Sequence, residues 1–322
     1  MARKKGKKKA APTGPLMDGV VVRSTGSWFK VALEDGEVHD CKLRGKFRIK
    51  GIKTTNPVAV GDRVKITIEE DVGFIREILP RSNYVLRKSI NLARRAHILA
   101  ANIDQAIVLF TLDQPVTTLG YVDRLLVTCE AYHIPAAIVF NKIDLLDEAG
   151  NEKLEDYQRR YEQIGYPTLT ISADDAQYAE AVVELLKGKT SFVVGRSGAG
   201  KSTTINLAAP ELDLKTGDIS DFSGRGKHTT VFAEMFDLPF GGKIIDSPGF
   251  KEMVIFDFEK ADLSHYFPEM RPYLDDCKFS NCIHLSEPGC AVKEAVEAGK
   301  ISESRYHTYL GMMDEIEESS GW

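Results

Sequence analysis

The order of two short segments constrains this chain more than any other feature. Asn141-Lys142-Ile143-Asp144 precedes Gly195-Arg196-Ser197-Gly198-Ala199-Gly200-Lys201-Ser202-Thr203 by more than fifty residues. The second segment fits G-x4-G-K-[ST], in which glycines let backbone N–H groups curl around phosphates at a helix N-terminus. Such a loop usually opens its domain. Here apolar runs at 105–110, 135–140, 167–172 and 190–195 surround helical segments at 118–132, 151–164 and 176–187. Short, fully apolar strands alternating with helices predict a doubly wound parallel sheet, most of it lying before the phosphate loop.

Each segment carries its own chemistry. Lys201 would reach the β- and γ-phosphates, and Ser202, followed by Thr203, would ligate Mg²⁺. Asn141-Lys142-Ile143-Asp144 follows an apolar strand, at the carboxyl edge where such sheets bind ligands. A carboxylate at Asp144 can accept from both N1–H and the 2-amino group of guanine, and adenine lacks that pair of donors. Beside a phosphate loop this selects GTP over ATP. Asn141 would tie the loop to the nucleotide, Lys142 would lay its stem on the base, and Ser172-Ala173 would offer a backbone N–H to the guanine O6.

Further along, Asp246-Ser247-Pro248-Gly249 ends another apolar run. Asp246 suits the Mg²⁺ shell and Gly249 a bond to the γ-phosphate. The Gly-rich polar stretch 223–230 lies where a switch loop must lie, with Thr230 or Thr229 as a Mg²⁺ ligand. Phe250 stands where many GTPases place a water-orienting glutamine, so His228 is the candidate for that role, acting with Lys201 and Thr230. The linear order is base recognition, base support, phosphate loop, first switch, second switch. That is a GTPase sheet cut and rejoined at a surface loop, which leaves site geometry intact.

The flanks differ from this centre. A net charge of −5 conceals about +12 over the first hundred residues and −17 over the rest. A basic front on an acidic back points to a polyanion partner for the front alone. Residues 1–16 read as a disordered basic tail with no signal sequence. Residues 17–82 hold about five short strands between Gly-containing turns, which predicts an OB-type barrel. Within it Lys42, Arg44, Lys46, Arg48, Lys50 and Lys53 surround Phe47, a composition suited to RNA. Residues 81–100 read as a basic connection. No apolar stretch approaches 18 residues, so a cytoplasmic monomer without membrane contact is expected.

Beyond about residue 256 the pattern is helical, apart from a loop carrying Cys277, Cys282, His284 and Cys290. Three thiolates and one imidazole are the set preferred by structural Zn²⁺. The segment after about 270 carries few large apolar residues, so its order is expected to depend on the metal. The division read from these features is tail 1–16, barrel 17–82, permuted P-loop GTPase domain 83–255 and mostly helical zinc-binding domain 256–322.

Taken together, Asn141-Lys142-Ile143-Asp144, the phosphate loop, Gly224-Arg225-Gly226-Lys227-His228-Thr229-Thr230, Asp246-Ser247-Pro248-Gly249 and C-x4-C-x-H-x5-C resemble the circularly permuted GTPases. Within them they resemble the bacterial ribosome small-subunit-dependent GTPase A family, in that family's order and over nearly the whole chain. The resemblance implies a late-acting assembly factor for the 30S subunit that binds 16S rRNA, cycles between GTP and GDP, and holds one structural zinc. Two other readings compete. One is an OB/zinc RNA-binding module whose nucleotide domain senses but barely hydrolyses; the other is a P-loop kinase or ATPase, which Asp144 opposes.

Overall fold

The computed structural model describes residues 14–43, 57–88, 96–214, 233–246 and 259–320. Its front part is a closed five-stranded barrel of β1 (Met17–Ser24), β2 (Trp28–Leu33), β3 (Val38–Leu43), β4 (Arg63–Glu69) and β5 (Val72–Ile78). The pairing order is β1-β2-β3-β5-β4 with β4 returning to β1, and only β3–β5 is parallel. Inward residues alternate with polar ones, so Val21, Phe29, Val31, Cys41, Val64, Ile66 and Ile75 fill the interior.

Within the stretch 81–100, expected as a connection, β6 (Tyr84–Lys88) and β7 (Ala96–Ala101) instead pair antiparallel. Its basic residues hid the alternation of Val85, Ile98 and Ala100; all three are buried, Val85 and Ala100 in the central core.

The central sheet contains β8 (Gln105–Phe110), β9 (Ala136–Phe140), β10 (Thr168–Thr170), β11 (Thr190–Val194), β12 (Glu234–Asp237) and β13 (Lys243–Asp246). Their order is β10-β9-β8-β11-β13-β12, parallel except for β12 against β13. Helices α1 (Leu119–Ala131) and α2 (Glu148–Ile164) cover one face. Helices α3 (Ala179–Leu186) and α4 (Lys201–Ala208) cover the other. The α2 helix starts where the Asp147 side chain accepts from Gly150 N at 2.8 Å and stops at Gly165, whose φ of 109° only glycine adopts without strain.

Barrel and sheet are not separate. Strand β1 pairs with β12 through Arg23 and Glu234, so the hydrogen-bonded order runs unbroken from β10 to the barrel.

The last part holds α5 (Ala291–Glu297) and α6 (Glu303–Ser320) with short 3-10 turns. Contrary to expectation it has a substantial apolar core of its own, including Leu263, Phe267, Met270, Ile301, Tyr309, Met312 and Met313. Large apolar side chains spread along α6, inside the segment expected to be poor in them, supply it together with Leu263, Phe267 and Met270. Arg305 of α6 is fully buried against α1. It donates from Nη1 to Asp123 Oδ1 at 3.0 Å and from Nε to Glu269 Oε1 at 2.6 Å. Asp123 also accepts from Tyr161 (2.9 Å) of α2 and from Thr308 (3.0 Å) of α6. Burial alone lowers the Arg305 pKa, and the Glu269 and Asp123 carboxylates more than reverse it, so the charge is secure.

Candidate nucleotide site and metal centre

The carboxyl ends of β8, β9, β10, β11 and β13 converge on one edge of the sheet. The phosphate loop runs from β11 into α4. Gly198 (φ 81°) and Gly200 (φ 93°) take backbone that side chains avoid, and a Cβ on Gly200 would meet Asn141 Nδ2 at 2.3 Å. Lys201 folds back along the loop, donating from Nζ to Gly195 O at 3.0 Å and to Arg196 O at 2.8 Å. Arg196 and Ser197 are exposed at the tip, Ala199 is buried beneath it, and Thr203 is half-buried on α4. Ser202 is 4% exposed, and among the described residues its Oγ has no hydrogen-bond partner. A buried hydroxyl without a partner is costly unless a ligand or cation completes it, which fits an ion at this position.

Asn141, at the end of β9, joins three segments. Its Nδ2 donates to Ala199 O and its Oδ1 accepts from Ala173 N, each at 2.9 Å. Asn141 thus ties loop 141–144 to the loops at 172–173 and 195–202. The Ala173 N–H assigned to the guanine O6 is directed at Asn141, and Ser172 beside it is buried. Lys142 adopts a left-handed φ of 64°, and its Nζ donates to Gln114 O. Asp144 lies exposed in a 3-10 turn at the rim.

Sequence reading missed the segment following β8. Arg196 donates from Nη1 to Val116 O, so residues 114–116 connect the phosphate loop to Lys142. Thr111, fully buried, holds the segment by donating to Pro115 O at 2.6 Å. These contacts run through carbonyl oxygens, which no residue type announces.

Strand β13 lies parallel beside β11, which brings the backbone of Asp246 to the same edge. Its side chain, and Gly249, His228, Thr229 and Thr230, lie outside the described residues, as do Arg44 to Lys53 of the barrel.

Cys277, Cys282, His284 and Cys290 come together with their ligand atoms within 4.8 Å of one another. His284 Nδ1 stands 3.6 Å from Cys277 Sγ and 3.4 Å from Cys290 Sγ. A tetrahedral ion with bonds of about 2.0–2.3 Å leaves S···N edges of roughly 3.5 Å, so the donors fit one cation. Burial pushes the Cys282 thiol up to about 12, raises Cys290 and lowers His284. A bound cation would oppose that rise by favouring thiolates. Helix α6 props the loop, because Tyr306 donates to His284 O at 2.6 Å and Tyr309 to Ile283 O at 2.7 Å. Glu287 accepts from Ile283 N and Leu285 N, each at 2.9 Å. Burial pushes its carboxyl pKa up, and these backbone donors bring it below the usual range.

A doubly wound sheet that meets its guanine loop before its phosphate loop defines a circularly permuted GTPase. The RsgA N-terminal domain model matches residues 18–75 and the RsgA GTPase model residues 78–256. A small ribosomal subunit biogenesis GTPase of Bacteroides fragilis is 48% identical over 303 residues, covering 94% of this chain and 98% of the relative. One from Flavobacterium johnsoniae is also 48% identical, covering 94% of each. Among solved structures, YjeQ from Thermotoga maritima superposes with a TM-score of 0.75 at 36% identity, covering 94% of this chain and 98% of that one. YloQ, described as a circularly permuted GTPase, superposes at 0.73 and 29%, covering 95% and 96%. The chain belongs to the RsgA GTPase family and is a GTP hydrolase.

Proposed function

We propose that this protein binds Mg²⁺·GTP at the converging loops and hydrolyses it while attached to the small ribosomal subunit, as a late factor in 30S assembly. The observation that carries the reading is the single site built by Asn141 from segments 141–144, 172–173 and 195–202, in a chain so similar to small-subunit biogenesis GTPases.

In this reading Asp144 accepts from the guanine edge, and Asn141 keeps the base loop in register with the phosphate loop. Lys142 packs along the base. Lys201 exchanges its two loop carbonyls for phosphate oxygens, and backbone N–H groups of 197–202 complete the cradle. Ser202, with Asp246 and Thr230 or Thr229, holds Mg²⁺, which neutralises charge on the β- and γ-phosphates. Gly249 bonds the γ-phosphate, and His228 orients the attacking water. Zn²⁺ held by Cys277, Cys282, His284 and Cys290 is structural, since four protein ligands leave no open position. The barrel and the zinc unit grip 16S rRNA, and the protein acts as a cytoplasmic monomer.

Single-turnover GTP hydrolysis with and without purified 30S subunits tests the reading. Slow hydrolysis alone and strong acceleration by subunits are expected. Absence of acceleration would point instead to a nucleotide-sensing RNA-binding module.

A further inference from the structure

The barrel presents an aromatic side chain that its own fold does not need. In β2, Phe29 points inward and is 1% exposed, so Trp28 points outward and is 38% exposed. Its backbone is pinned at the strand start, where Thr25 N (2.9 Å) and Thr25 Oγ1 (3.2 Å) both donate to Trp28 O. Across the β2–β3 ladder Trp28 is in register with Lys42, whose Nζ stands 4.1 Å from the ring centroid.

Lys42 differs from its neighbours. Lys30 meets Asp40, Lys65 meets Asp18, Arg76 meets Glu69 and Arg81 meets Asp62. Among the described residues Lys42 has no carboxylate partner, only the ring. It also opens a stretch, residues 41–61, that contains six cations and no acid. An unneutralised ammonium over an exposed indole on a pinned backbone, near the start of such a stretch, matches a ligand that offers flat aromatic faces and anionic links at short intervals. RNA with unpaired bases has that chemistry.

We infer that Trp28 and Lys42 form a stacking platform for an unpaired nucleotide of RNA, the indole taking the base and the ammonium its phosphate. The inference rests on the RNA-binding reading of the barrel and adds the residues and the strandedness. A folded duplex keeps its bases stacked inside and gains only the charge.

The test uses full-length protein carrying Trp322→Phe, which leaves Trp28 as the only tryptophan of the two in the chain. An unstructured RNA 12-mer, the same RNA as a duplex, and heparin are titrated at several salt concentrations. The single strand should quench Trp28 fluorescence and the duplex and heparin should not. In the Trp322→Phe background, followed by RNA anisotropy, Trp28→Ala should weaken single-strand binding about tenfold or more with an unchanged salt slope, and Trp28→Tyr should retain most of it. Lys42→Gln should lower the salt slope by about one. Because Trp28 is exposed, unaltered GTP affinity and melting temperature should accompany each variant. If Trp28→Ala binds single strands like its parent, or heparin quenches equally, the platform is wrong while RNA binding stands. If the parent binds no RNA, the underlying reading fails and the platform with it.

Discussion

Asn141 Nδ2 and the Ala199 carbonyl are joined at 2.9 Å across a sequence separation of 58 residues, and the same side chain accepts from Ala173. One amide thus fixes the loops at 141–144, 172–173 and 195–202 in a common frame. The site depends on that frame and not on the order in which the chain visits its parts.

Asp144→Asn should weaken GTP binding by about 1–3 kcal/mol, because an amide cannot accept from both guanine donors. Xanthosine triphosphate, with a carbonyl in place of the 2-amino group, should bind the variant better than GTP does. Calorimetric titration of both nucleotides measures this. Equal GTP affinity in variant and wild type would remove Asp144 from the site.

Ser202→Ala should leave the nucleotide-free protein at least as stable as wild type, since among the described residues its buried Oγ has no partner to lose. Affinity for GTP in Mg²⁺ should nevertheless fall toward the value measured in chelator. A melting curve and paired titrations decide it. A Mg²⁺ effect as large as in wild type would exclude Ser202 from the cation shell.

Removing the metal should open the loop 277–290 to protease while the core around Phe267, Tyr309 and Met312 persists. GTP binding should survive, because the nucleotide site lies on the sheet edge. Mapping the first cleavage sites after chelation checks this, and an unchanged digestion pattern would show that the loop needs no metal.

Arg305→Met should destabilise the protein by about 3–5 kcal/mol, since it leaves the Asp123 and Glu269 carboxylates buried without their cation. Adding Asp123→Asn and Glu269→Gln should recover part of the loss. Urea denaturation of wild type, the single and the triple variant measures this, and a loss under about 1 kcal/mol for the single variant would contradict a tight network.

His228→Ala should keep GTP affinity and lose most of the stimulation by 30S subunits, because a water-orienting group acts on the transition state and not on binding. Rates of hydrolysis with and without subunits, for both proteins, provide the comparison. Equal stimulation would assign the water to another residue.

Much of this molecule is local information. The apolar run at 105–110, the loop at 141–144, the phosphate loop at 195–203 and the Cys277-to-Cys290 spacing are contiguous, and each is dictated by a nearby chemical need. The permuted order follows from reading them in sequence. Other features arise only when distant segments meet. The pairing of β6 and β7 was masked because Arg87, Lys88, Arg94 and Arg95 outnumber its few inward residues, which become apolar packing only beside the sheet. The Arg23–Glu234 pairing that continues the barrel into the sheet joins β12 to the end of β1 beyond its pairing with β4, two strands with no shared pattern. Arg305 reads as an ordinary cation on an amphipathic helix until Asp123 and Glu269 surround it. Chain pattern determines which residues seek burial and which loops can hold a phosphate. Desolvation and strand pairing depend on the partner that folding delivers, so the tertiary structure alone decided where the domains are joined.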